Sequence, residues 1–279
     1  IGATLDNKKF ITKNGISNYE LPEGFDFLNL TEDGRIIATN YVDKILIGNQ
    51  EKILKDVVIA ASLKNEKLAL VYSNNTIELI DVNTSKTLFK EYLPLSLAND
   101  TRITNPYFMG NLILFPTLNG KVIIISSTNN ESVKNISVDP DSEFNNIISL
   151  NVIESSQTLI VATPNKIVSI SPKEVLSKDY EVRDIIINKE DIYVATIDGQ
   201  LIKLSASLNE VKSKKYKYAK FHALAFTDSL YAVESQGFLV NINSDFSKDS
   251  VYDFSFDNEE RMIAIGNRIY FDSKYITLP

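Results

Sequence analysis

Residues 194–211 read VATIDGQLIKLSASLNEV. The apolar run that ends at Ala195 is interrupted by Thr196-Ile197-Asp198-Gly199-Gln200, resumes as Leu201-Ile202-Lys203-Leu204 and ends in a polar corner. An Asp-Gly pair between two short apolar runs supplies the positive-φ residue of a tight hairpin turn, so the stretch reads as two antiparallel strands. At Gly199 a valine would cost about 1–3 kcal/mol in backbone strain, and an asparagine would be much milder. The same form recurs along the chain as RIIATNYVDKILIG (35–48), LALVYSNNTIELIDV (68–82), LILFPTLNGKVIIIS (112–126), LIVATPNKIVSIS (159–171), IYVATIDGQLIKLS (192–205), LYAVESQGFLVNI (230–242) and RIYFDSKYITLP (268–279). Asn74-Asn75, Asn119-Gly120, Asn165-Lys166 and Gln236-Gly237 are the corresponding turn pairs. Equivalent positions in the first strand of each hairpin, Ile36, Ala69, Ile113, Ile160, Tyr193, Tyr231 and Ile269, are 33, 44, 47, 33, 38 and 38 residues apart. A period of roughly 40 residues with four strands per unit is that of a β-propeller blade.

Between hairpins there is room for two further strands, as in KTLFKEYL (86–93) followed by ITNPYFM (103–109), or EVKSKKYKY (210–218) followed by FHALAF (221–226). The middle strands are apolar on both faces, as strands sandwiched between blades must be. The last strands are lysine-rich, which protects an exposed edge from pairing. The unit at 261–279 supplies three strands, and KKFITKNGISNYELP (8–22) offers a hairpin before the first inner strand. We therefore expect one all-β domain over 1–279: blades repeated over 25–279, seven in number, with the strands of 1–22 closing the ring on the last blade. An eighth blade built from the N-terminal hairpin is the alternative.

The repeats at 67–92 and 191–217, with a small-residue strand, a turn, a second strand and a Thr- or Asn-bearing corner, resemble those of the pyrroloquinoline-quinone-type propeller family. Within it the resemblance is to the non-catalytic, BamB-like outer-membrane assembly lipoproteins. It spans 34–279 at the level of the repeat. It implies a periplasmic scaffold, held to the outer membrane by a lipid on a residue upstream of Ile1, that binds another protein of the bacterial envelope. The family's docking tryptophans are absent from a chain with no Trp, so no cofactor is expected.

Composition narrows the function further. A net charge of −7 from 29 Lys+Arg and 36 Asp+Glu provides no basic field for nucleic acid or for an anionic membrane surface. No cysteine and one histidine remove disulfides, thiol catalysis and most metal sets. No apolar window approaches the roughly 18 residues of a membrane-spanning helix. The chain starts Ile1-Gly2-Ala3 without a methionine, which reads either as a removed signal peptide or as a chosen start point.

The two long spacings come from the loops PLSLANDTRITNP (94–106) and DPDSEFNN (139–146). Excess loop length on a rigid ring is a common way to build a binding surface, so Asn99, Asp100, Arg102, Tyr107, Phe144 and Asn146 are the candidate protein contacts, against ordinary loop variation. Asp139, Asp141 and Glu143 alternate like oxygen ligands of calcium, but without the glycine and spacing of a calcium loop they read as a solvated acidic loop, and no metal is expected. Lys212, Lys214, Lys215, Lys217 and Lys220 interleave with Tyr216 and Tyr218. On an outer strand they read as edge protection rather than a single-strand nucleic-acid site. His222, in phase with Leu224 and Phe226, reads as a packed or channel-lining histidine rather than a catalytic one. Asn83, in DVNTS (81–85), is a candidate glycosylation acceptor at what is also an ordinary blade corner.

The expectation is a non-enzymatic scaffold, monomeric by itself, that binds another protein and not nucleic acid. The rivals are a ligand binder or enzyme using the channel, and a cytoplasmic interaction propeller of the tryptophan-aspartate type, which the absence of Trp disfavours.

Overall fold

The computed structural model describes residues 1–4, 6, 8–96, 102–142, 145–254, 262–271 and 274–279. The described residues form eight antiparallel sheets, six of four strands and two of three. Sheet 2 consists of Asp26–Leu30, Ile36–Thr39, Lys44–Ile47 and Gln50–Ile53; sheet 3 of Val58–Lys64, Lys67–Tyr72, Thr76–Asp81 and Thr87–Tyr92; and sheet 4 of Tyr107–Met109, Leu112–Pro116, Lys121–Ser126 and Ser132–Ser137. Sheet 5 runs Ser149–Ile153, Thr158–Ala162, Lys166–Ile170 and Val175–Asp179; sheet 6 runs Val182–Asn188, Asp191–Thr196, Gln200–Leu204 and Glu210–Lys215; and sheet 7 runs Phe221–Phe226, Ser229–Glu234, Phe238–Asn243 and Asp249–Asp253. Sheet 8 has Met262–Ile265, Arg268–Phe271 and Lys274–Thr277.

The expected count of seven is corrected to eight, the alternative. Residues 2–16 make a sheet of their own, sheet 1, because Gly2–Ala3 adds a third strand to the hairpin of Phe10–Thr12 and Gly15–Ile16, with Gly2 opposite Ile11 and Ala3 opposite Phe10. Three strands with an apolar face hold where a lone hairpin is marginal. A two-residue strand carries no periodic signal, which is why the sequence shows only the hairpin. Among the described residues, no strand of sheet 1 pairs with sheet 8.

The chain forms two compact units: residues 1–11 with 17–150, and residues 12–16 with 151–279. In the first unit, alternation along Lys67–Tyr72 explains the packing. Leu68, Leu70 and Tyr72 join Ile37, Ile45 and Ile47 of sheet 2, while Ala69 and Val71 join Ile113, Phe115, Ile123 and Ile125 of sheet 4. Both faces of one strand are thus buried, each large side chain contributing about 1.5–3 kcal/mol on transfer from water. Sheet 1 packs on sheet 2 through Leu21, Ile36, Ala38 and Leu46, with Phe10 stacked on Phe27 at 5.5 Å. In the second unit the same alternation sends Leu230 and Ala232 toward Tyr193, Ala195 and Leu201 of sheet 6, and Tyr231 and Val233 toward Met262 and Ile269 of sheet 8.

The hairpin turns carry positive φ at Asn75 (62°), Gly120 (71°), Gly199 (85°) and Gly237 (95°), as their sequences require. The turn at Asn165-Lys166 has none; Thr163 N donates to Lys166 O at 2.9 Å across Pro164. A second device recurs at three turns of the form Thr-x-Asp/Asn-Gly. The hydroxyl of Thr31, Thr117 or Thr196 donates to Asp33, Asn119 or Asp198 and accepts the N–H of Arg35, Lys121 or Gln200. The mildness expected of asparagine at Gly199 is corrected. A Cβ there would lie 2.6 Å from Tyr216 O and 2.8 Å from Ala219 O, so any side chain collides with backbone.

Candidate functional site

In each four-stranded sheet, the turn between the second and third strands and the connection to the next sheet leave from the same end. In the first unit the two long loops emerge there and are sewn together. Thr104 N donates to Ile147 O at 2.9 Å, Ile147 N to Thr117 O at 3.1 Å, and the Asn146 amide to the carbonyl of Arg102. Asn75, fully buried, donates to Pro94 O at 2.7 Å and accepts from Leu118 N at 2.8 Å, which fixes the start of the first loop on the turn of sheet 4. The second loop is clamped in turn, with Val138 N donating to Gly120 O at 2.7 Å and Asn145 Nδ2 to Asp139 O at 2.8 Å. Such backbone ties join the described ends of the two loops into one patch, which lowers the cost of ordering it on binding.

On this patch Arg102 is exposed, and Tyr107, opening the first strand of sheet 4 opposite Leu114, is 37% exposed. Asn146 is wholly buried, so it positions Arg102 rather than presenting itself, and its Oδ1 has no hydrogen-bond partner among the described residues. Asn99, Asp100 and Phe144 lie outside the described residues, as does Glu143 of the acidic alternation. Asp139 is buried, not solvated, whereas Asp141 is exposed. Among the described residues, no three His, Asp or Glu side chains come together as a metal set. Asn83 is exposed at a corner where Thr84 donates from both N and Oγ1 to Asp81, whose carboxyl these bonds hold below the usual carboxylate range.

The first strands carry polar groups that serve as rivets. Asn29 Nδ2 donates to Ala61 O at 2.9 Å and Asn105 Oδ1 accepts from Ala61 N at 3.0 Å, tying sheets 2, 3 and 4. In the second unit Asp184 accepts from Leu224 N at 2.7 Å, and Arg183 Nε donates to Phe221 O at 3.0 Å. Register shifts place bulges at Leu28, Ile59, Arg183 and His222, the same point of four repeats. His222 is half-buried with Nδ1 3.4 Å from Arg183 Nη2, and burial followed by the guanidinium's charge lowers its pKa. A neutral imidazole pinned beside a cation is poorly placed to take up a proton. The lysine-tyrosine strand is likewise committed. Lys214 and the Tyr216 hydroxyl both bind Asp249, at 2.6 and 2.9 Å, and Lys215 binds Asp198 at 2.8 Å. These are struts between strands, and they commit two of the five lysines to carboxylates.

A feature that the sequence reading missed lies in sheet 3. Glu78, 6% exposed, accepts from Thr87 Oγ1 at 2.6 Å, Tyr72 OH at 2.8 Å and Lys90 Nζ at 3.0 Å. Burial alone would raise its pKa, but the bonds from Thr87, Tyr72 and Lys90 outweigh this and hold it below its ordinary value. Burial and the same carboxylate push the Tyr72 phenol far up. The hint in the sequence is Glu78 itself, an acid set between Ile77 and Leu79 within TIELID (76–81).

Comparison with known proteins agrees with this picture. No family model matches the chain. It is 28% identical over 237 and 236 residues to the plasminogen-binding protein PgbB of two strains of Helicobacter pylori, covering 80% of this chain and 43% of each relative. The chain thus spans less than half the length of these curated relatives. Among solved structures it is similar to BamB from Moraxella catarrhalis, with a TM-score of 0.74 at 11% identity over 97% of this chain and 92% of that one. It is also similar to the C-terminal WD40 domain of Sif2, with a TM-score of 0.68 at 9% identity over 98% and 90% of the two chains. These likenesses show the fold, an all-β β-propeller, here of eight sheets. The described residues present surfaces for contact and no catalytic constellation.

Proposed function

We propose that this chain is a non-enzymatic propeller scaffold of the bacterial cell envelope that binds another protein through the sewn loops of its first unit. The observation that carries this reading is the sequence likeness, over 80% of the chain, to proteins named for binding a protein. The tied loop ends support it, with Arg102 and Tyr107, residue types that often anchor interfaces, as contacts and Asn146 as the pin behind Arg102. Asn99, Asp100 and Phe144 complete the proposed surface by sequence. The same proposal takes 1–279 as one domain that is monomeric alone, exported to the periplasm and anchored at the outer membrane by an upstream lipid. Asn83 is then the glycosylation acceptor. The proposal also takes the strands of residues 1–22 as the segment that closes the ring.

The name of the H. pylori relatives favours a specific partner as a second reading, namely plasminogen. Surface plasmon resonance of the purified chain over immobilised plasminogen tests it, with Arg102→Ala/Tyr107→Ala as the paired variant. Saturable binding lost in the variant, at unchanged melting temperature, is the expected result. No binding to plasminogen together with loop-dependent capture of a defined envelope protein returns the partner to the assembly reading. Binding that ignores the loop variant overturns the loop surface.

A further inference from the structure

Sheets 2 and 3 leave a crevice of about 460 Å3 between Lys52, Ile53, Leu54 and Lys55 on one side and Tyr72, Glu78, Lys90 and Tyr92 on the other. Its rim is unusually apolar for an exposed position, with Ile53 77% and Tyr92 74% exposed at the ends of two outer strands. Its floor is cationic. Lys52 Nζ donates to Val82 O and Ser85 Oγ at 2.8 and 2.7 Å, which leaves one N–H unspent. Lys90 Nζ gives one bond to Glu78 and lies 5.5 and 5.4 Å from the ring centroids of Tyr72 and Tyr92. Lys55 is exposed and makes no hydrogen bond or ion pair among the described residues. Three lysines and one glutamate line the crevice, with Asp56 beside Lys55 close enough to act on the Tyr72 phenol, and both oxygens of Glu78 are already occupied, so positive charge remains in excess.

We infer that this crevice binds an extended acidic segment of a partner protein, taking its carboxylates on Lys55, Lys52 and Lys90 and an aromatic or aliphatic side chain between Ile53 and Tyr92. Charge complementarity selects that occupant. The local excess of positive charge stands out in a chain of net charge −7, whose overall field disfavours a long polyanion such as nucleic acid. The apolar rim adds the desolvated contact that a phosphate chain would not use. The inference does not depend on the loop surface proposed above.

Fluorescence anisotropy with a fluorescein-labelled octapeptide of alternating Asp and Tyr tests it, with the Asn-Tyr peptide as the uncharged comparison. The acidic peptide binds at least about tenfold more tightly than the neutral one, and Lys55→Glu and Tyr92→Ser each weaken it by about tenfold, the scale of one lost or reversed charge pair or one apolar anchor. Both positions are exposed, so melting temperature serves as the folding control. The variant Lys217→Glu/Tyr218→Ser, which alters a similar lysine-tyrosine pair 4.9 Å apart at the end of sheet 6, leaves binding unchanged, as does Arg102→Ala/Tyr107→Ala. Equal affinity for the two peptides, no binding at all, or an equal loss in the 217/218 variant overturns the inference. A concentration-dependent dimer abolished by Tyr92→Ser also overturns it, by assigning the crevice to a second copy.

Discussion

Gly199 and Gly34 make a matched pair of positions. Both close a Thr-x-Asp-Gly turn, at 196–199 and 31–34, and both sit at φ +85°. They differ in what surrounds them. A Cβ on Gly34 meets nothing within 4 Å, whereas one on Gly199 lies 2.6 Å from Tyr216 O and 2.8 Å from Ala219 O. Gly34→Ala therefore costs only the left-handed backbone penalty, about 1–2 kcal/mol. Gly199→Ala carries that penalty and must also push two carbonyls outward. Tyr216 N donates to Gly199 O at 2.9 Å and Ala219 N to Tyr216 O at 3.1 Å, and the Tyr216 ring packs edge-on against Phe221 at 6.0 Å, so the strain spreads into sheet 7. Overpacking of this kind adds about 1–3 kcal/mol, for a total of about 2–5 kcal/mol. For a chain of this size the gap between the variants corresponds to a shift on the order of 5 °C in Tm, readable by calorimetry or by urea titration followed by far-ultraviolet circular dichroism. Gly199→Asn behaves like Gly199→Ala, because asparagine's tolerance of positive φ does not remove its Cβ. Equal losses at 34 and 199, or a rescue by asparagine, would refute the steric part of the reasoning.

Replacing Glu78 by Leu, which strands Tyr72, Thr87 and Lys90 in a half-buried site, costs about 2–4 kcal/mol in urea unfolding, and a loss below 0.5 kcal/mol, a margin of the ordinary surface-substitution size, would show that the cluster is idle. Asp198, held at a pKa of about 2 by Lys215, Thr196 and Gln200, contributes stability that is fully present above the ordinary aspartate range and is lost as pH falls through about 2. The stability gap between the protein and Asp198→Asn therefore shrinks between about pH 4 and 2, and a gap independent of pH across that window would contradict the assigned bonds. Deleting residues 1–22 removes sheet 1 and uncovers Ile36, Ala38 and Leu46, so melting temperature falls sharply; an unchanged melt would show that sheet 1 is ornamental.

The blade plan was legible because most of the hairpins announce themselves twice, by apolar runs that match a sandwiched strand and by Asn or Gly at the turn. Asp198-Gly199 predicted a corner, and a corner is found there. What failed was count and contact. Gly2–Ala3 is too short to carry a period, so the sequence points to seven blades, with the eighth only as the alternative. Asn146 reads in sequence like an exposed loop amide, yet it is buried beneath Arg102, because only the folded geometry brings 102 and 146 together across 44 residues. Glu78 was passed over for the complementary reason. Its partners, Tyr72 on one side and Thr87 and Lys90 on the other, come from the two strands that flank its own, whose alignment depends on register, and register is invisible until the strands are paired. His222, expected to be packed or channel-lining, is half-buried; the arginine beside it lies on the neighbouring sheet and could not be assigned from spacing.

The central claim, that this propeller acts by binding a protein through the sewn loops at 94–106 and 139–146, is tested most directly by site-specific photo-crosslinking. A photoreactive residue is placed at Arg102 or Tyr107, and for comparison at Glu154, an exposed residue of the short turn between the first two strands of sheet 5. The account predicts a discrete adduct with one protein, plasminogen or an envelope component, from 102 and 107 and none from 154. An adduct from 154 alone, or none from any of the three under conditions where the partner still co-purifies, would contradict it.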